Sequence, residues 1–347
     1  MGITPDFQVL YLAAKDFLSG LNFYQNKEMF TGVGYPPITL LFYTPLTIFS
    51  YPTSQTIFFV LNLVLIAATI YLSFKIVHQK PKTWHFLFAL SLALISFPTK
   101  FTLGMGQNNL ISLFLILISF YAYKKGGNLR AGIFLGLAIS LKTIFGFFLL
   151  FYLIKKKYKL LAYTFITIAV LFTISILIGG IGLYGYYFEK VVPPLLNLAG
   201  REIYYNQGLM GFISRLTQDN NLRKIFWEIG SFALIAITSF KTLITKNENL
   251  AFSLFIITLL LIDSLSWQHH FVWLIFPFIV IGKEVLRRKR AILTSLFILS
   301  YSLISWNFKN PSLNFEVLNP LLLSHVFIGA LVLYLLNSVL PEKQVTS

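Results

Sequence analysis

Runs of Leu, Ile, Val and Phe, separated by short polar breaks, fill most of the chain. A helix crossing a bilayer needs roughly 20 apolar residues, and shorter apolar runs serve as broken or protein-covered spans. The pattern predicts apolar segments over 53–74, 84–98, 107–123, 130–141, 143–154, 160–182, 224–245, 250–263, 270–282, 291–306 and 320–340. Nothing resembles the alternating strands of a membrane barrel. The expected fold is an all-α polytopic membrane protein with about 11 membrane segments. It reads as one integral membrane domain over 1–347. A first outer loop covers 1–52, membrane helices cover 53–182, and a large outer loop covers 183–223. Membrane helices resume over 224–340, and 341–347 forms a cytoplasmic tail.

Within the first loop the period changes. Phe7, Leu10, Ala14, Phe17 and Leu21 fall on one stripe, with Tyr11 and Leu18 beside it. That spacing predicts an amphipathic helix lying on the outer interface. Asp6 stands at its start, where a carboxylate either caps the helix or stays free for chemistry. Beyond it, Tyr35-Pro36-Pro37 enforces an extended entry, and Pro45 and Pro52 follow closely. The apolar stretch 38–49 is too short to cross and is expected as a buried or re-entrant helix.

Composition agrees with this picture. The chain is 56% hydrophobic and 12% charged, against roughly 25% charged in soluble domains. It has no cysteine, which excludes disulfides and thiolate metal sites. The net charge of +16 invites a nucleic-acid reading, but its distribution points elsewhere. Basic residues cluster at Lys75/Lys80/Lys82, Lys124/Lys125/Arg130, Lys155–Lys159, Lys241/Lys246 and Lys283–Arg290. All five clusters reach one side, the cytoplasmic one, if 130–154 is a hairpin with Lys142-Thr143 at its tip. The charge is then a topology signal with anionic-lipid contact, and nucleic acid is not needed as a partner. This topology puts the N-terminus outside and the C-terminus inside. "MGITPDFQV" contains no signal-type hydrophobic run. An upstream apolar helix, making about 12 segments, is therefore expected before Met1.

Four polar clusters interrupt the apolar sequence: Gln107-Asn108-Asn109, Lys142, Asn206-Gln207 with Arg215, and Gln268-His269-His270 flanked by Asp263 and Trp267. Polar groups at this depth face an interior or a wet cavity, or bond between helices. Several at one level favour a polar outer cavity. Adjacent histidines on an α-helix point about 100° apart, which disfavours a shared metal. There is no HExxH, P-loop, GxSxG or dense carboxylate group. The histidines suit proton handling or hydrogen bonding to phosphate or sugar. Trp267 and Trp273 read as interfacial or sugar-stacking rings. Asp263 either orients a histidine or simply ends a span.

The order of these stretches carries a resemblance. "PDFQVLYLAAKDFLSGLNFYQ", "YPPITLLFYTPLTIF", "GQNNLISLFLILI", "AGIFLGLAISLKTIFGFFLLFYLIKKKYK", "YNQGLMGFISRL" and "SWQHHFVWLIFP" run from residue 5 to about 280. Together they resemble glycosyltransferase family 87, the DUF2029-type membrane mannosyltransferases of the GT-C superfamily. The resemblance implies a polyprenyl-phosphate hexose donor, most simply mannose, and transfer on the extracytoplasmic face with inversion. It also implies an acid in the first outer loop as base. Carried onto this chain, that acid is Asp6, with Asp16 as the second candidate. Donor or phosphate binding would fall to His269, His270, Arg201, Arg215, Lys142, Gln107, Asn108, Asn206 and Gln207, with Asp263, Tyr35, Trp267 and Gln268 in support. No cofactor or metal is implied; the acceptor is a glycolipid or glycan, and the bilayer surrounds the protein. Departures are the missing helix before Asp6, Thr-Ile in place of a frequent proline after Lys142, and Gly208 where Ser is frequent. A lipid-linked transferase for another sugar (arabinose, a glucose-type hexose, or protein O-glycosylation) remains an alternative reading. A transporter or lipid flippase is disfavoured by the absence of an evident internal repeat.

Overall fold

The computed structural model describes residues 4–29, 31–77, 82–198, 200–308 and 319–340. Residues 1–3, Lys80, most of the loop 307–319 and the tail 341–347 lie outside the described residues, and with them the expectations that rest on them. The described chain is helical, with no named strand. In chain order the helices are α1 Pro5–Leu18, α2 Tyr51–Ile76, α3 Thr83–Ile95, α4 Phe97–Met105, α5 Asn109–Lys124, α6 Asn128–Leu141, α7 Phe148–Ile154, α8 Tyr158–Gly179 and α9 Gly182–Tyr186. There follow α10 Val192–Leu196, α11 Leu209–Leu216, α12 Asn220–Ile244, α13 Glu248–Ile262, α14 Ile275–Arg288, α15 Ala291–Ser305, α16 Asn319–Leu323 and α17 His325–Val339.

Among the described residues four helical stretches are long and apolar enough to cross a membrane: α2, α8, α12 and Gln268–Arg288. A fifth is the pair α3 and α4, bent by 64°. The expected span 84–98 is thus shorter and continues as a second helix to Met105. Pro98 explains the break, because it has no N–H to bond back along α3. Six further apolar helices are shorter. This is a helical, multi-pass membrane protein.

The chain divides into two compact units, residues 1–68 with 102–197, and residues 69–101 with 198–347. In unit 1, α1 is not laid on a surface. Val9 and Ala13 are buried along with Phe7, Leu10, Ala14 and Phe17, and the Phe7 ring stacks on Phe58 at 4.7 Å. Only Leu18 and Leu21 of the expected stripe are exposed. The stripe was legible, but the covered surface is wider because protein packs on neighbouring faces. The proline-rich segment forms two 3-10 turns, Pro37–Phe42 and Thr44–Ile48, rather than an α-helix. Prolines in both turns remove the donors that a longer α-helix needs.

Helices α6 and α8 pack tightly through small residues. A Cβ on Gly132 would lie 2.5 Å from Tyr163 Cβ, and one on Gly136 would lie 2.7 Å from Thr167 Cβ. This is the small-xxx-small contact of membrane helices. The hairpin expectation over 130–154 meets direct geometry. Ser119 Oγ donates to Ala131 O at 2.8 Å and lies 3.2 Å from the Tyr152 hydroxyl. Both arms therefore end beside α5, and Lys157 lies over the Tyr123 ring at 5.1 Å. The basic clusters 124–130 and 155–159 share one end of unit 1.

In unit 2, α13 is buried from Leu250 to Leu261 and forms the centre. Thr238 of α12 lies 2.7 Å from Thr258 of α13 and 3.2 Å from the Tyr334 hydroxyl of α17. Ser300 of α15 donates to Gly329 O. Lys283 Nζ donates to Val77 O at 2.6 Å, so the basic stretch 283–290 meets the end of α2 that carries Lys75.

Candidate functional site

A polar cluster forms in unit 1 where α1 begins. Thr4 is the N-cap and Asp6 lies in the first turn, so the Asp6 carboxylate is not the cap. Instead Gln107 Nε2 donates to Asp6 Oδ2 at 2.5 Å. The two residues stand 101 positions apart in sequence, and Gly106 allows them to meet. Its φ is +69°, and a Cβ there would lie 2.6 Å from Phe7 Cβ and 3.0 Å from Thr4 Cβ. Left-handed backbone and lack of space both require glycine at this turn.

Lys142 enters from the hairpin tip. Its backbone is extended, ending α6, and its Nζ donates to Asn109 Oδ1 at 2.6 Å. Thr39 Oγ1 donates to Ser140 O, tying the first 3-10 turn to this tip. Burial pushes the Asp6 carboxyl above its ordinary range. The Gln107 hydrogen bond and then the Lys142 charge pull it back, less strongly. Tyr35 lies within the field of Asp6; its phenol is pushed up first by burial and then by the carboxylate. Asn108 is fully buried beside them in sequence. Asp6, Gln107, Asn109, Lys142 and Tyr35 are thus brought together.

Asp16 is not part of this cluster. It lies about 15 Å farther along α1 at 1.5 Å per residue. There it accepts from Asn26 Nδ2 at 2.7 Å, clasping the turn after the helix.

Unit 2 builds a second cluster. The stretches "YYNQG" and "SWQHH" pair as a short antiparallel bridge between Asn206 and Trp267. Gln207 N donates to Ser266 O at 2.7 Å, and Gln268 N donates to Tyr205 O at 2.8 Å. Asn206 Nδ2 donates to Arg201 O and Ser264 O, and Gln207 Nε2 donates to Tyr204 O and Leu323 O. Arg215 donates to the carbonyls of Ile203, Tyr204 and Asn206 and to Ser324 Oγ. Burial lowers its pKa to about 10. The side-chain donors of Asn206, Gln207 and Arg215 are therefore turned onto the protein, where the sequence suggested ligand contact. Replacing Arg215 by lysine is expected to loosen residues 201–207, because one ammonium cannot span four acceptors. Faster amide exchange across 201–207 checks this; unchanged exchange contradicts it.

The histidines occupy a 3-10 helix, Gln268–Leu274, not an α-helix. With about three residues per turn, positions i and i+3 eclipse. Accordingly His270 stacks on Trp273 at 5.0 Å, with ring planes 4° apart. His269 is parallel to Trp267 at 6.0 Å and meets Phe101 edge-on at 5.1 Å. The two imidazoles lie 4.7 Å apart, at 79° to each other. Trp273 is fully buried, which corrects the interfacial reading for that ring; Trp267 is half-buried. Asp263 Oδ1 accepts from Leu265 N, and Oδ2 lies 3.9 Å from His270 Nδ1, an ion pair only when the histidine is protonated. Burial lowers the Arg201 pKa, and the Asp263 charge acts against that. Gln268 is fully buried and donates to Trp306 O. Among the described residues no three His, Asp or Glu side chains converge on one point.

One group escaped the sequence reading. Tyr204 Oη lies 2.9 Å from both Asn307 Oδ1 and His325 Nε2, and it accepts from Phe308 N. His325 Nδ1 contacts Leu303 O at 2.6 Å. Burial pushes the Tyr204 phenol up to about 12. The only sequence signal was a lone histidine inside "LLLSHVFIG".

The family model of glycosyltransferase family 87 matches residues 33–266. The chain belongs to this family. As a family 87 glycosyltransferase it is similar to curated mycobacterial enzymes. One is a polyprenol-phosphate-mannose-dependent alpha-(1-2)-phosphatidylinositol mannoside mannosyltransferase of Mycobacterium tuberculosis, 23% identical over 334 residues. That match covers 88% of this chain and 77% of the relative. The enzyme of the same description from Mycolicibacterium smegmatis is 24% identical over 331 residues, covering 87% of this chain and 74% of the relative. A pentamannoside mannosyltransferase of Mycobacterium tuberculosis is 23% identical over 247 residues, covering 70% of this chain and 56% of the relative. Within the family-matched stretch lie Tyr35, Gln107, Lys142, Arg201 and Arg215. Asp6 and the histidine pair flank it.

Proposed function

We propose that this family 87 glycosyltransferase transfers a hexose, mannose, from a polyprenyl-phosphate donor to an acceptor hydroxyl at the extracytoplasmic face. The observation that carries the reading is the half-buried Asp6 carboxylate, held by Gln107 and within the field of the Lys142 charge. A carboxylate raised by burial is a suitable general base near neutral pH. The donor follows the mycobacterial relatives, and the side follows the basic clusters along the sequence.

In this scheme the acceptor hydroxyl gives its proton to Asp6 as its oxygen bonds the anomeric carbon. The bond from that carbon to the phosphate oxygen breaks, and polyprenyl phosphate leaves with the electron pair. The leaving oxygen needs positive charge rather than a proton, which Lys142 supplies. In unit 2, Arg201 and His270 lie near Asp263, with His269 beside them, and none of them is assigned a step in this scheme. No metal step is invoked. Because one displacement occurs, the anomeric configuration inverts. Product made from a donor of defined configuration tests this by nuclear magnetic resonance. The opposite configuration is expected; retention contradicts a single displacement with Asp6 as base.

A further inference from the structure

In unit 2, the C-terminal ends of α12 and α17 and the first turns of α13 line an open cavity of about 410 Å³. That size falls in the range of small-ligand sites. Ile244, Leu254, Val339 and Leu340 give it an apolar lining, to which Lys241 and Thr245 add polar groups. The neighbouring polar groups are engaged. Asn337 Nδ2 donates to Leu250 O, Ser338 Oγ donates to Tyr334 O, and Thr245 Oγ1 accepts from Asn247 N. Lys241 is different: its ammonium joins no ion pair or side-chain hydrogen bond among the described residues.

Two physical demands meet in this cavity. Water leaves the apolar wall unsatisfied, and hydrocarbon leaves the ammonium without a counter-charge. A small anion would answer only the second demand. A molecule with an acyl chain and an anionic head answers both. Lysine snorkelling alone would carry an ammonium to the interface but requires no cavity beside it. We infer that this cavity binds one anionic phospholipid from the leaflet at the basic end of unit 2, its head on Lys241 and its chain along Leu254 and Val339. Basic pockets between membrane helices on that side suit such lipids. The site lies among α12, α13 and α17 and is independent of the sugar-transfer reading.

Native mass spectrometry of the purified full chain, titrated with phosphatidylglycerol or phosphatidylcholine in mixed micelles, tests it. The wild-type protein is expected to retain one phosphatidylglycerol in preference to phosphatidylcholine. Lys241→Gln should weaken phosphatidylglycerol retention about fivefold, the effect of one lysine near an anionic surface, and leave phosphatidylcholine unchanged. Val339→Phe, which fills the apolar wall, should weaken retention of the same lipid. Equal retention of the two lipids by the wild type, or no change in Lys241→Gln, overturns the proposal. A chain ending at Leu340 should bind as the full chain does. Tighter binding by the shortened chain would assign the cavity to residues 341–347 and overturn it as well.

Discussion

Replacing Asp6 by asparagine is expected to lower turnover by about 10²- to 10⁴-fold, the range of a lost general base. Asparagine has the same shape and still offers an oxygen to Gln107 Nε2, but it cannot take up the acceptor's proton. Asp16→Asn should stay near the wild-type rate, because Asp16 clasps Asn26 at the far end of α1. Initial rates of the two purified variants make the comparison. Full activity in Asp6→Asn together with loss in Asp16→Asn would reverse the assignment. The pH profile adds a sign. Burial holds the Asp6 pKa above its ordinary value, and only the carboxylate form accepts a proton. Activity in the wild type should therefore be full above that raised pKa and fall as pH drops through it. Any residual activity of Asp6→Asn should lack this limb.

What could be read in advance follows the range of each interaction. Local spacing indicated the helices, the break at Lys142 and the hairpin, because periodicity, proline and charge act over a few residues. It also supplied Asp6 and Gln107 as separate candidates. Their pairing was not legible, since it bridges 101 positions through a left-handed Gly106 that packs on Phe7. Nor could spacing show that Arg215 spends its guanidinium on three carbonyls and a serine, because backbone acceptors leave no mark in a sequence. His269 and His270 were recognised as unusual, but their ring geometry depends on a 3-10 helix that apolar content alone does not distinguish from an α-helix. Tyr204 and His325 were missed for a similar reason. Each looks ordinary, and they meet across 121 positions.

Lys142→Met carries the second largest expected loss, about 10²- to 10³-fold, comparable to removing one preorganised donor from a developing anion. Methionine keeps much of the side-chain volume but leaves Asn109 Oδ1 without its 2.6 Å donor. The charge also lowers the Asp6 pKa. Its removal should therefore shift the acid limb of kcat/KM to higher pH as well as lower the plateau. A purely structural role for Lys142 would reduce the plateau and leave the limb in place, so the profile separates the two. Gln107→Leu should shift the limb in the same direction, because the hydrogen bond it removes also favours the carboxylate form.

The donor is the point on which the mechanism turns. Purified protein should be incubated with a mannosylated lipid acceptor and radiolabelled mannose, carried either on polyprenyl phosphate or on a nucleoside diphosphate. Label is expected to pass to the acceptor from the polyprenyl-phosphate carrier alone, with release of one polyprenyl phosphate per sugar transferred. Transfer from the nucleotide carrier, or none from the polyprenyl carrier under conditions that support the mycobacterial enzymes, would contradict the proposed reaction.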